Sequence, residues 1–358
     1  MIKNTLSDAS TIPRLWVAQA RHRRIVLERD SRFFRWRERA AASDRRRPLR
    51  AVAAAVLLIA CARGARASFD LPAISARSAA LGGASLAGQG DSAALFQNAA
   101  AGAGLRAPET YLMYNKLYAG LDGAASLGQG LATLGVPTRF GVVGVGLADF
   151  QASSLLEERV VGVTFARRWF DAVEAGVTGK YLYHRYMIGG DALAASDPVF
   201  RNGTSRGAFA LDFGLSAPVS DALRIGLSMR NLNAPDVGLA AVDRVPREVQ
   251  AALAYDVEPW ALRWTADYTY RDVPSGTFQD RSRPGLGLEK GFEHDLVKFR
   301  VGATLDQFSG GIGVAFGPME LDYTFLLART LVSGNAGTHM VGLRYRFGDA
   351  AHSGTGSH

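Results

Sequence analysis

Several long stretches of this chain alternate strictly between apolar and polar residues. In residues 262–270 apolar side chains occupy every second position, and residues 223–230 and 297–305 repeat the pattern. Successive side chains of a β-strand point to opposite faces of its sheet, so a period of two predicts strands with one apolar and one wet face. The chain is therefore predicted to be all-β.

A soluble sandwich would alternate in the same way, and two properties of the strands favour a membrane barrel instead. The alternating stretches approach the roughly 9–11 residues that a tilted strand needs to cross a bilayer. Aromatic residues also lie near the predicted strand ends, as an interfacial girdle requires. These aromatic residues are Tyr181, Tyr183, Tyr268, Tyr270, Tyr345 and Phe347. The chain has no run of about 18 apolar residues that could form a membrane-spanning helix.

The spacing of the strands gives a third argument. We predict fourteen strands, near residues 110–118, 124–134, 140–150, 158–168, 172–187, 206–216, 222–230, 246–256, 260–271, 283–290, 296–305, 309–316, 319–327 and 338–347. Joins after the even-numbered strands are tight, as at 136–139, 217–220 and 317–318. Those after the third, fifth, seventh, ninth and thirteenth are longer and polar, the longest around 189–206.

An even number of strands, with short turns at one end and long loops at the other, is typical of bacterial outer-membrane barrels. Residues 109–347 are thus predicted to form a transmembrane antiparallel up-and-down β-barrel of about 14 strands. Its predicted location is the outer membrane of a diderm bacterium, where it is surrounded by outer-membrane lipid.

Charged residues of the predicted strands fall on the wet face, which would be the lumen of the barrel. They are Asp212, Arg224, Arg263, Asp267, Lys298, Arg300, Glu320, Asp322, Arg344 and Arg346. An arginine on the lipid face would cost about 2–4 kcal/mol at mid-bilayer, so a luminal position is favoured. The simpler interpretation is that these are solvated lumen residues, and a role in steering a substrate is the alternative. Strands six and seven can bring Asp212 near Arg224.

The last two predicted strands allow a more specific expectation. If they form a hairpin, Asp322 can lie opposite Arg344, and Glu320 can lie opposite Arg346. Opposite charges that face each other across neighbouring strands are favourable.

Residues 45–67 match the pattern of a secretory signal peptide. A charged beginning precedes an apolar stretch of about a dozen residues, and Ala65-Arg-Ala67 supplies the small-x-small cleavage site. Cleavage after Ala67 would leave Ser68 as the first mature residue. The double arginine before the apolar stretch weakly suggests twin-arginine export, which carries folded cargo and does not fit a protein that folds in a membrane.

Two features of the leader have alternative interpretations. Residues 1–44 are Arg-rich, either because the start codon is assigned too far upstream or because the chain has a genuine cytoplasmic extension. Cys61 stands in a lipobox-like context that would place a lipid anchor on it. The favoured interpretation is a small hydrophobic cysteine within the signal peptide. It is the only cysteine, so the mature chain offers no disulfide or thiolate site.

The basic net charge of the chain belongs to its leader. Residues 1–67 hold 16 of the 41 Lys and Arg residues but only 5 of the 33 Asp and Glu residues. The remaining 25 basic and 28 acidic residues give the rest of the chain a charge of −3. The composition therefore gives no support for binding to nucleic acid.

Residues 68–108 do not alternate and consist largely of small residues. They contain a pattern that resembles the mature N-terminus of the PorV/PorQ and FadL-like outer-membrane families. The matching residues are Ala76, Arg77, Leu81, Gly82, Gly83, Ala84, Ala87, Asp91, Ala94, Leu95 and Asn98. In FadL-like transporters this segment forms a hatch that plugs a 14-stranded barrel, and an Asn-Pro-Ala turn is part of the plug.

The resemblance implies a hatch motif of Gly82, Gly83, Asp91, Asn98 and Ala99 in this chain. Ala99 stands where the family has proline, which weakens any transfer of hatch gating to this chain. Asn98 either holds the turn through its side chain or is an ordinary loop asparagine.

The end of the chain carries a further resemblance. Residues 341–347 alternate and end in Phe347, with Tyr345 two residues before it, and are similar to the C-terminal signal read by the barrel-assembly machinery. The tail 348–358 is predicted to be disordered.

The sequence contains no catalytic constellation, metal-ligand spacing or nucleotide-binding motif, so we predict neither an enzyme nor a cofactor. Passive uptake of small hydrophobic molecules, as in FadL-like proteins, predicts an apolar pocket beside residues 68–108. The alternative is a PorV/PorQ-like role in type IX secretion or surface assembly, which predicts that the long loops bind secreted proteins. A structural barrel without cargo is the third hypothesis.

Overall fold

The computed structural model describes residues 69, 75–88, 91–120, 127–170, 172–189, 192–273, 281–329 and 336–348. The predicted extension, the signal peptide with Cys61 and the tail beyond Gly348 lie outside the described residues.

Fourteen strands dominate the described chain. They are β1 (Glu109–Leu117), β2 (Leu127–Thr138), β3 (Gly141–Ala152), β4 (Leu156–Trp169), β5 (Val173–Tyr186), β6 (Ser205–Pro218), β7 (Leu223–Arg230), β8 (Glu248–Val257), β9 (Leu262–Arg271), β10 (Ser282–Phe292), β11 (Val297–Thr304), β12 (Gln307–Phe316), β13 (Met319–Ala328) and β14 (Thr338–Arg346). Each pairs with its sequence neighbours in antiparallel fashion, and β1 also pairs with β14. The predicted closed antiparallel barrel of 14 strands is confirmed.

The helices are short. They are α1 (Ala76–Ala80) and α2 (Ala192–Ser196), with 3-10 turns at Ser92–Ala94, Ala99–Gly104, Pro198–Phe200 and Glu258–Trp260. None of the helices in the described part of the chain is long and apolar enough to cross a membrane.

The joins between strands differ from the prediction at one end of the barrel. The connection from β3 to β4 was expected to be long, and it consists of residues 153–155 only. That expectation is wrong because pairing continues to the very ends of both strands, where Ala152 lies opposite Leu156. The turn expected at 136–139 also comes later, since β2 runs on to Thr138.

The two faces of the barrel wall separate apolar from polar side chains, as the alternation predicts. In β9 the buried positions are Thr265, Asp267, Thr269 and Arg271, and they face inward. Outward positions are apolar and exposed along the whole wall, as shown by Leu112, Val145, Val163, Phe165, Leu211, Trp264, Phe299, Val301, Leu321 and Val341. A soluble sandwich would bury its apolar face, so this inside-out distribution has the character of a membrane barrel.

The segment 75–108 lies against the inward face of the wall and is held there by buried hydrogen bonds. The hydroxyl groups of Ser309, Thr324 and Ser228 donate to backbone carbonyls of the segment at 2.9, 2.7 and 2.6 Å. The amide of Ala76 donates to the Tyr111 hydroxyl at 2.8 Å. The polar inner face thus satisfies the backbone of a segment that forms only short helices.

Candidate functional site

A cavity of about 300 Å³ opens at the end of the barrel where the long loops emerge, and we call it the long-loop cavity. The N-terminal segment contributes Gly82, Gly83 and Gln97 to its wall. Its apolar lining includes Leu117, Tyr118, Pro284, Leu305, Leu326 and Met340. Its polar lining includes Asn115, Gln129, Gln250, Asp267, Thr269 and Ser282. A pocket therefore lies beside the segment, as expected for an uptake protein, but its lining is mixed and not purely apolar.

A second cavity, of about 490 Å³, lies at the opposite end, where the short turns join the strands. We call it the short-turn cavity. The N-terminal segment contributes Arg77 and Asp91 to its wall, and most of the other lining residues are charged. The segment therefore contributes to the walls of both cavities.

Ten charged residues, which we call the lumen network, connect the segment to the wall. They are Arg77, Asp91, Glu109, Glu289, Lys298, Arg300, Glu320, Asp322, Arg344 and Arg346. Five are basic and five acidic, so the network is neutral when every member is ionised. Buried charges that are paired in this way avoid most of the penalty of leaving water unpaired.

Arg77 and Arg344 form the contacts that involve the segment itself. The guanidinium of Arg77 donates to both carboxylate oxygens of Glu289, each at 2.9 Å. Arg344 of β14 lies 2.9 Å from the carboxylate of Asp91 and 2.8 Å from that of Glu320. The segment is therefore tied by charge to β10 on one side and to β14 on the other.

Arg300 lies at the centre of the network and is buried. Its guanidinium contacts Glu289 at 2.6 Å, Glu320 at 3.2 Å and Asp322. Gly313, between Arg300 and Asp322 on the intervening strand, leaves the space that their side chains occupy.

The register between β13 and β14 differs from the expected one. Glu320 lies opposite Arg344, and Arg346 lies opposite Glu109 of β1, to which it is bound at 3.0 Å. The predicted pairs of Asp322 with Arg344 and of Glu320 with Arg346 are wrong by two residues. A shift of two keeps every side chain on its predicted face, so alternation cannot detect it.

The expected contact between Asp212 and Arg224 is also wrong. Asp212 forms an ion pair with Lys180 of β5 at 2.7 Å, and Arg224 forms one with Glu174 at 2.8 Å. The register of β6 and β7 places Arg224 opposite Pro218, near the short turn and away from Asp212.

Two further charges from the prediction lie outside the network. Arg263 is partly exposed near the short turns, where it pairs with Asp256 at 2.5 Å. Asp267 lines the long-loop cavity and forms hydrogen bonds with Gln250 and with the amide of Leu86.

The glycines of the predicted hatch motif have different roles. Gly82 has φ of +66°, and a Cβ there would lie within 2.9 Å of backbone atoms of Ala303 and Leu286. Only glycine fits this close approach of the segment to the wall. Gly83 also has a positive φ, of +82°, but faces open space beside the long-loop cavity.

Asp91 and Asn98 cap the two 3-10 turns of the segment. The carboxylate of Asp91 accepts from the amide of Ala93 at 2.8 Å, and the side-chain oxygen of Asn98 accepts from the amide of Ala100 at 3.0 Å. The Asn98 amide group also donates to the carbonyls of Leu86 and Leu215 at 3.1 and 3.3 Å. Asn98 thus holds the turn without the family's proline.

Ala99, in the position of that proline, is buried at the start of the second 3-10 turn. At the other end of the chain, Tyr345 and Phe347 stack edge to face with their ring centroids 4.7 Å apart. Phe347 follows the last residue of β14 and is exposed.

The connection between β7 and β8 folds back into the mouth of the barrel. The carbonyl of Val237, which is buried, lies 2.8 Å from the imidazole Nε2 of His184. Within the same connection, the carboxylate of Asp236 accepts hydrogen bonds from the amides of Gly238 and Asp243, each at 2.9 Å. These two bonds hold the pKa of Asp236 below its ordinary value.

Sequence reasoning did not single out several residues that the structure places in the lumen. Glu109, Glu174 and Glu289 each pair with an arginine, and Asn115 and Gln250 line the long-loop cavity. A usable signal was present, because each of these side chains occupies an inward position of a strand. In the described part of the chain, no group of three or more His, Cys, Asp or Glu residues is placed to hold a metal ion.

Comparison with known proteins gives matches among solved structures only. Neither a family model nor a curated protein sequence matches the chain. The toluene transporter TbuX of Ralstonia pickettii is similar with a TM-score of 0.57 and 14% identity, covering 78% of this chain and 100% of that one. The monoaromatic hydrocarbon channel CymD has a TM-score of 0.55 and 12% identity, with coverage of 78% and 99%.

A FadL homologue of Pseudomonas aeruginosa is similar at a TM-score of 0.54 and 12% identity, covering 77% of this chain and 99% of that one. At these identities the likeness concerns the fold. The secretion role predicted as the alternative gains no support from these comparisons.

Proposed function

We propose that this chain is an outer-membrane barrel for passive uptake of small, mostly apolar molecules. The observation that carries the proposal is the long-loop cavity, which lies inside a closed barrel and ends at the N-terminal segment. Its volume of about 300 Å³ falls at the lower end of the range for ligand pockets, about 300–1,000 Å³. An engineered protein cavity of about 150 Å³ is enough to bind benzene.

The position of the segment gives it the part of a plug in this proposal. It contributes to the walls of both cavities and is bound to β10 and β14 by the lumen network. A molecule that enters from the long-loop end meets Gly82 and Gly83, and its passage to the short-turn end requires the segment to shift. The fold-level likeness to a toluene transporter and to a hydrocarbon channel supports the same class of cargo.

Uptake of radiolabelled toluene by cells tests the proposal. A strain without its own hydrocarbon channel would express the protein or an empty vector, and the initial rate of uptake would be compared. A rate several-fold above the vector is expected. Equal rates, with the folded protein present in the outer-membrane fraction, would contradict the proposed function.

A further inference from the structure

The long-loop cavity contains polar atoms that the protein leaves without hydrogen-bond partners. Asp267 and Asn115 both line the cavity, and their exposed fractions are only 6% and 4%. The Oδ1 atoms of both residues have no hydrogen-bond partner among the described residues. Buried polar groups are normally satisfied, so two unpaired acceptors facing one cavity require an explanation.

Asp267 differs from the other buried acids of the lumen. Its Oδ2 accepts from Gln250 Nε2 at 2.8 Å and from the amide of Leu86 at 3.3 Å, but no basic side chain forms an ion pair with it in the described chain. Glu289 and Asp212, in contrast, each face an arginine or a lysine within 2.7 Å. The lumen elsewhere supplies a cation to its buried carboxylates, and at Asp267 it leaves that place to the cavity.

One donor in the cavity is also unpaired, the Nε of Arg230. The charge of Arg230 is already matched, because its guanidinium forms an ion pair with Glu248, to which Arg271 is bound as well. A ligand group that both donates and accepts, such as a hydroxyl, can therefore satisfy Asp267 or Asn115 without a second charge. A carboxylate would bring a further negative charge toward Asp267.

We propose that the long-loop cavity selects small apolar molecules that carry one hydrogen-bond donor, a hydroxyl or an amine, over plain hydrocarbons and over carboxylates. This inference rests on the proposed uptake function and specifies its substrate class. A hydrocarbon fills the apolar part of the cavity but leaves both acceptors unpaired, whereas a hydroxyl or an ammonium group satisfies one of them.

A series of ligands with one ring and different head groups tests the selection. Calorimetric titration of the full chain in detergent would measure affinities for toluene, benzyl alcohol, benzylamine and benzoate. Benzyl alcohol and benzylamine are expected to bind about tenfold more tightly than toluene, which is the change typical of one satisfied buried polar group. Benzoate is expected to bind most weakly.

The outcomes separate this inference from the function on which it rests. Equal affinities for toluene, benzyl alcohol and benzylamine would overturn the selection while leaving uptake of apolar molecules in place. Tightest binding of benzoate would overturn it in favour of recognition by Arg230. No binding of any of the four would count against both proposals.

A single substitution examines the role of Asp267 directly. Asp267→Asn keeps one oxygen for Gln250 and Leu86 and replaces the free acceptor by a donor. Benzylamine affinity is expected to fall at least tenfold with toluene affinity unchanged, which also reports that the variant is folded. Asp256→Asn, at the short-turn end, is the matched control and should change neither affinity. If the Asp267 variant does not fold, the ligand series on the unmodified protein decides the matter alone.

Discussion

Arg77 and Glu289 form a bidentate ion pair that joins the N-terminal segment to strand β10. The two residues are separated by 212 positions in the chain, and both side chains are largely buried. Glu289 is also bound by Arg300, so it keeps one cationic partner if Arg77 is removed. The pair is therefore a point at which the segment can be loosened while the wall stays intact.

Replacing Arg77 by methionine should release the segment part of the time. Removing one partner of a buried ion pair costs about 3 kcal/mol, which raises the population of a displaced segment on the order of a hundredfold. Ion conductance across planar bilayers would show this as frequent openings that the unmodified protein lacks.

Arg346→Met is the control for that experiment. Arg346 belongs to the same network, but it is 45% exposed in its side chain and contacts Glu109 instead of the segment. An exposed pair contributes at most about 1 kcal/mol, so conductance should stay near that of the unmodified protein. Equal openings in both variants would mean that the Arg77 pair does not hold the segment.

Two glycines of β5 test whether the segment needs a smooth wall. A Cβ on Gly176 would collide with the backbone of Ala99 and Ala100, whereas a Cβ on Gly179 would meet nothing within 4 Å. Gly176→Val should therefore displace the second 3-10 turn and expose the segment to limited proteolysis. Gly179→Val, on the outward face of the same strand, should leave the cleavage pattern unchanged. Similar patterns for both variants would show that the segment does not pack at this position.

The outer face of the barrel predicts an unusual response to surface arginine. Val163 is 56% exposed at an outward position in the middle of β4. Arginine there should destabilise the protein by about 2–4 kcal/mol in lipid vesicles, because it would lie in hydrocarbon. Denaturant titration, read by the faster gel migration of unboiled folded barrel, gives the free energy of unfolding.

Val219→Arg provides the comparison, since Val219 is 58% exposed in the short turn between β6 and β7. A surface substitution in water usually changes stability by less than about 0.5 kcal/mol. If Val163→Arg were equally harmless, the apolar outer face would not be set in a bilayer.

The period-two pattern was sufficient to predict the strands and their faces, but it could not give their pairing. Asp267 and Arg300 could be placed in the lumen from sequence because their neighbours on both sides are apolar. The partner of Arg346 could not, because Glu109 lies 237 residues away and meets it only when the barrel closes. The loop between β13 and β14 also fixes no register, and a shift of two residues conserves the pattern.

The N-terminal segment shows another limit of sequence reasoning. Its hydrogen bonds run from single wall hydroxyls, such as those of Ser309 and Thr324, to its backbone carbonyls. Backbone carbonyls are common to all residues, so no side-chain pattern in the segment reveals them. The motif itself indicated Asn98, whose side chain forms three hydrogen bonds that hold the turn.

The most direct test of the account is the rate of toluene uptake in two tryptophan variants of neighbouring residues. Leu326 lines the long-loop cavity, and Leu327 is exposed on the outer face of the same strand. Leu326→Trp should fill much of the cavity of about 300 Å³ and reduce uptake at least tenfold, with Leu327→Trp within about twofold of the unmodified protein. Undiminished uptake in folded Leu326→Trp would contradict passage through this cavity.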